Sequence, residues 1–135
     1  VLKYSEVNWL QAACQDVVKT DIFYVWEENR SIKKLMNIDV FRNLCTPCPI
    51  WRECMRYSLE SETYGVWAGT TSIERQAMRM GQFNSTVARV MSDFEVRGIA
   101  PDELIEIVDE YQKNHQGEDS PRARALRVQE RKRAI

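Results

Sequence analysis

Cys45 and Cys48 flank a Thr-Pro pair, and Cys54 follows after five more residues. Sulfurs held this close by the chain mark a soft-metal site or a redox site. The fourth and last cysteine, Cys14, lies far upstream, so an intervening loop must fold back to bring the four together. Four thiolates satisfy either a tetrahedral zinc or the corners of an iron-sulfur cubane, and the spacing alone leaves both open. In a reducing compartment such cysteines stay as thiols, which favours a metal or redox role over a disulfide framework.

The chain has 135 residues, enough for one small domain with an extension. No stretch resembles a signal peptide and no apolar run is long enough to span a bilayer, so a soluble, cytoplasmic protein with no membrane association is expected. The start at Val1 rather than Met suggests a trimmed beginning. A formal net charge of -1 hides a local asymmetry. Residues 102–119 are rich in Asp and Glu, whereas the end of the chain carries Arg122, Arg124, Arg127, Arg131, Lys132 and Arg133 against a single acid, Glu130.

Along the chain, residues 5–15 carry Val7, Leu10, Ala13 and Cys14 at helical spacing, which predicts a short helix capped by Ser5. The run Ile22-Phe23-Tyr24-Val25-Trp26 has β-propensity but no convincing partner strand, so residues 20–26 are expected to form an apolar loop over the cysteines. Residues 27–34 are charged and expected to be solvated. Leu35, Ile38, Phe41 and Leu44 then form a stripe that predicts a helix ending at Cys45, and Pro47 and Pro49 stiffen the turn around Cys48. Trp51, Met55 and Leu59 predict a helix over 50–61 that carries Cys54. Residues 64–70 form a glycine-bracketed turn around Trp67, and Thr71 with Glu74 fits a capping box for a helix ending near Gly81.

The order of Cys14, Cys45-Thr-Pro-Cys48, Cys54, Tyr57-Ser-Leu59, Gly65-Val-Trp-Ala-Gly69 and Glu74-Arg75 resembles the WhiB-like family of actinobacteria and their phages. That resemblance implies an all-α protein, a small bundle of short helices around a [4Fe-4S] cluster held by Cys14, Cys45, Cys48 and Cys54. It implies a transcription regulator rather than an enzyme, bound to the C-terminal domain of the primary sigma factor and hence to RNA polymerase, with redox sensing through the cluster and contact with promoter DNA. Gly65, Val66, Trp67 and Gly69 match the family's turn, and Phe23 with Tyr24 matches a paired-aromatic element; all six are candidate partner-binding residues. Ala68 stands where the usual turn has a glycine.

Two other readings compete: a zinc-stabilised adaptor without a redox role, and a protein disulfide reductase using Cys45 and Cys48 in the metal-free form. Beyond residues 1–81, the expected cluster domain, Val87, Val90, Met91 and Phe94 on one stripe and Leu104, Ile105, Val108 and Tyr111 on another predict a helical hairpin over 82–116. His115, the only histidine, is expected to be a solvated surface group. Residues 117–135 form a basic tail suited to phosphate contact, with Arg124, Arg127 and Arg131 on one helical face.

Overall fold

The structure is a computed structural model that describes residues 2–16, 22–29, 33, 37–62 and 64–115. Leu35, most of the charged stretch after Asn29, and the basic tail with Arg122, Arg124, Arg127, Arg131, Lys132 and Arg133 lie outside the described residues. Three short 3-10 turns come first, at Tyr4–Glu6, Trp9–Gln11 and Ala13–Asp16. Among the described residues six helices are delimited after them: α1 (Ile22–Glu28), α2 (Ile38–Cys45), α3 (Trp51–Ser61), α4 (Ser72–Arg79), α5 (Ser85–Glu95) and α6 (Pro101–Asn114). Among the described residues there is no strand beyond an isolated bridge between Trp67 and Thr70, in keeping with the expected all-α class.

The N-terminal segment departs from expectation. Instead of one helix capped by Ser5, the chain breaks at Val7 and Ala12, whose backbones are extended. In a straight helix these two residues would lie about 140° apart, given 100° per residue. Breaking the helix lets both be buried. The result is a strap, residues 2–16, laid across the bundle.

The expected apolar loop over 20–26 is also overturned, because residues 22–28 form α1. With no neighbouring strand, a helix is the structure that satisfies this backbone locally. Phe23 and Trp26, three residues apart, share its inner face and pack on Phe41 of α2 at ring separations of 5.2 and 5.4 Å. Tertiary packing thus outweighs the β-propensity of the run.

The Asn37 side chain caps α2 by accepting from the Asp39 N–H at 2.9 Å. At α4 the capping box is complete: Thr71 accepts from the Glu74 N–H and Glu74 from the Thr71 N–H. The hairpin of α5 and α6 forms as the stripes predict, with Asn84 capping α5 and the Glu103 carboxylate accepting from the Ala100 N–H ahead of Pro101. One position shifts: the inner face of α6 runs through Leu104, Ile107, Val108 and Tyr111, leaving Ile105 half-buried.

The hairpin shares one core with α3 and α4. Trp51, Met55, Leu59 and Met78 pack with Val87, Val90, Phe94, Leu104 and Val108. α3 and α6 lie side by side in the same direction, since Arg52 meets Glu106 (2.7 Å), Arg56 meets Glu110 (2.9 Å) and Glu60 meets His115 (2.6 Å). His115 is therefore not a solvated group; it closes this ladder and stacks on Tyr111 at 4.2 Å.

Candidate metal centre

Each cysteine reaches the same cavity from a different element. Cys45 is the last residue of α2, and the tight turn after it brings the Cys48 N–H to the Cys45 carbonyl at 3.1 Å. Cys54 projects from the first turns of α3, while Cys14 comes from the third 3-10 turn of the strap. The strap is tied across by the Ala13 N–H, which donates to the Cys48 sulfur at 3.3 Å. All four are free thiols, half-buried, around a cavity of about 270 Å³ roofed by aromatic rings that include Tyr4, Trp9, Tyr24 and Trp67.

The electrostatics of the site disfavour four bare thiolates. Burial, and then the neighbouring Cys14, push the Cys45 thiol up to about 12. Burial and then Cys45 push Cys54 up strongly, and burial and then Cys48 raise Cys14. Hydrogen bonds from the backbone of Gly69 to Cys45 and of Ala68 to Cys54 oppose these shifts without cancelling them. Sulfurs that raise each other's pKa in this way need a cationic centre before they ionise together. Among the described residues, no three or more His, Cys, Asp or Glu side chains are placed to hold a single metal ion. The four sulfurs line one cavity, and four thiolate donors suit either a zinc ion or an iron-sulfur cluster.

The glycine-bracketed turn is bonded to this ring of sulfurs. Besides the two amide-to-sulfur bonds, the Ala68 carbonyl accepts from Trp51 Nε1 at 3.0 Å and the Gly69 carbonyl from Arg42 Nε at 3.1 Å. Ala68 and Gly69 both have positive φ, 53° and 76°. Gly65 also has positive φ, and a Cβ there would come within 2.8 Å of the Tyr24 ring. Trp67 is half-buried, its ring 5.8 Å from Trp9, 5.7 Å from Tyr57 and 6.2 Å from Tyr24. Of the paired aromatics, Phe23 is core and Tyr24 is exposed beside Trp67; Val66 is buried.

Three charged residues hold the turn; the sequence singled out neither Glu27 nor Arg42, and Arg75 only within the Glu74-Arg75 pair of the family pattern. Glu27, expected to be solvated, accepts from the Gly65 N–H at 3.3 Å and the Ser72 N–H at 2.7 Å. Arg75, fully buried, donates to the carbonyls of Gly65 (2.6 Å) and Thr70 (2.5 Å). Burial lowers its guanidinium to about 10, opposed first by Glu27. Arg42 is equally buried and pairs with Glu74 and Asp93, each at 2.5 Å. The available signal was periodicity: Arg42 lies four residues after Ile38 and three before Cys45, on the inward face of α2.

The family model for the transcription factor WhiB matches residues 9–78, which takes in the strap from Trp9, all four cysteines, the turn and α4 up to Met78. Among curated proteins, the chain is similar to the transcriptional regulator WhiD of Streptomyces coelicolor, 32% identical over 87 residues, covering 63% of this chain and 77% of that protein. It is also similar to the redox- and pH-responsive transcriptional regulator WhiB3 of Mycobacterium tuberculosis, 28% identical over 81 residues, covering 58% and 78% respectively. No solved structure matches.

Proposed function

The chain belongs to the WhiB family of transcription factors, and from that premise we propose that it regulates transcription as an iron-sulfur protein docked on a sigma factor. Cys14, Cys45, Cys48 and Cys54 hold a [4Fe-4S] cluster, and the turn at 65–69 faces the C-terminal domain of the primary sigma factor. The observation that carries this reading is that four thiols line one cavity within the stretch matched by the WhiB family model. A bound cluster supplies oxidant-sensitive chemistry, in line with the redox-responsive regulation by the relative WhiB3.

The chain's own part is to hold and to present. The amides of Ala13, Ala68 and Gly69 stabilise sulfur charge, while Trp51 and Arg42 fix the turn whose Trp67 ring, with Tyr24 and Gly65 beside it, offers area at low entropic cost. Phe23 and Val66 serve from beneath, through the Val66 N–H on the Phe23 carbonyl at 2.7 Å. In this reading residues 1–81 carry the cluster and the partner turn, 82–116 brace them, and the basic tail at 117–135 reaches promoter phosphates. The work is cytoplasmic, and no helix among the described residues is long and apolar enough to cross a membrane.

A disulfide reductase needs a low-pKa attacking thiolate, and burial sends Cys45 the other way. The test of the main reading is co-elution of the anaerobically purified chain with the C-terminal domain of the primary sigma factor. A stable complex is expected; two separate peaks at micromolar concentration would refute the docking.

A further inference from the structure

Among the described residues, the buried apolar side chains fall into three groups of unequal size. The largest has fourteen members, drawn from α3, α4, α5, α6, the loop before α6 and Ala68 of the turn, and none comes from the strap. The two others have four buried members each, and Cys14 packs against both. The strap supplies Val7 and Ala12 to one of them, along with Leu2 and Trp9 at its margin.

Each of the helices α1 to α6 has a polar anchor that involves no sulfur. α2 is fixed to α4 and α5 by Arg42 with Glu74 and Asp93, and by Arg97 with Asn43 and Asp39. α1 is fixed to the turn by Glu27 and by the Phe23 carbonyl. α3 is fixed to α4 by Arg79, whose guanidinium donates to the carbonyls of Ser58, Leu59 and Glu62, and α6 to the end of α4 by Gln112. Among the described residues, the strap meets the rest of the chain through Cys14 at the cavity, the Ala13 amide on the Cys48 sulfur, the packing of Val7 and Ala12 beside Ile50 and Tyr57, and the Trp9 and Tyr4 rings.

We infer that loss of the cysteine-bound group frees the strap alone while α1 to α6 stay folded, so that the protein's response is local and appears at Trp67. The inference rests on the proposed role of the four cysteines as ligands. Without its tie at Cys14 the strap has too small a buried surface to remain in place, whereas the fourteen-residue core stays packed. Departure of Trp9 strips one ring from Trp67 and uncovers that face of the turn, which makes the state of the cavity visible to a partner at the turn. The α5–α6 hairpin is what makes a local response available, because it gives α3, the helix that bears Cys54, a core that does not depend on the strap.

Hydrogen exchange read by mass spectrometry on the full chain tests this, comparing anaerobically purified protein before and after removal of iron by a chelator. Exchange in residues 4–14 is expected to rise about a hundredfold or more, while peptides from α3, α5 and α6 change by less than about threefold. Cys14→Ser, which breaks the tie without a chelator, is expected to reproduce that pattern. Collapse of protection in α3, α5 and α6 in either experiment, or an unchanged strap, overturns the inference even though iron was bound. Anaerobic material that never contains iron removes the ligand reading itself and the inference with it, so the two failures are told apart.

Discussion

The indole Nε1 of Trp51 donates to the carbonyl of Ala68 at 3.0 Å. Trp51 lies three residues before Cys54 on α3, and the Ala68 amide in turn bonds the Cys54 sulfur. The turn and the helix that carries Cys54 are thereby held together on both sides of one residue. On α2, Arg42 does the same for Gly69, whose amide bonds the Cys45 sulfur. Backbone groups of two neighbouring turn residues therefore stand between the cysteines and the surface on which Trp67 sits.

Trp67 is half-buried, and its ring neighbours are Trp9, Tyr24 and Tyr57 rather than the main core. Trp67→Ala is expected to weaken binding to the sigma factor domain by about 2 kcal/mol, as for an aromatic interface anchor, and to leave the visible absorbance of the bound cluster in place. Titration calorimetry beside an absorbance spectrum checks it. Unchanged affinity, or loss of the absorbance, contradicts the assignment.

Ala68 combines positive φ with a buried methyl. Ala68→Gly relieves the backbone but removes the methyl and adds unfolded-state freedom, effects of about 1 kcal/mol each that oppose one another. Its stability is expected to stay within about 1 kcal/mol of the parent. Ala68→Val meets both the backbone penalty of a β-branched residue and a filled core, and is expected to cost about 2–3 kcal/mol. Thermal unfolding of the two variants side by side gives the comparison, and equal behaviour would contradict the described turn.

Arg42 is buried with two carboxylates and a carbonyl as partners. Arg42→Met leaves Glu74 and the Gly69 carbonyl without that donor and is expected to cost about 3–5 kcal/mol. Asp93 is a third exposed, and Arg42 keeps Glu74 when it is neutralised, so Asp93→Asn is expected to cost about 1 kcal/mol. Denaturant unfolding of both separates them; a cheap Arg42→Met would mean that this pair network does not hold α2 to the hairpin.

For the basic tail, deletion of residues 122–135 is expected to flatten the dependence of promoter binding on salt, by roughly one unit of slope for each phosphate that the tail neutralises. Fluorescence anisotropy across a salt series measures it, and an unaltered slope assigns DNA binding to another part of the chain.

The sequence was most legible where the pattern is covalent or periodic. The capping box of Thr71 and Glu74 and the stripes of α3 and α5 survive in the structure because each is local. Legibility failed where tertiary packing decides. Val7 and Ala12 break a helix to reach the core, and Phe23 and Trp26 turn a β-prone run into α1 by packing on Phe41. Glu27, Arg42 and His115 look like surface charges in sequence, yet their partners lie far along the chain. Charge alone does not reveal which polar groups a turn will leave buried and in need of them.

Iron and acid-labile sulfide, counted per chain in protein purified without air, bear most directly on the four sulfurs. About four of each is the expected result, falling together when Cys14 is replaced by Ser. One zinc per chain with no sulfide, in material never exposed to oxygen, would contradict it.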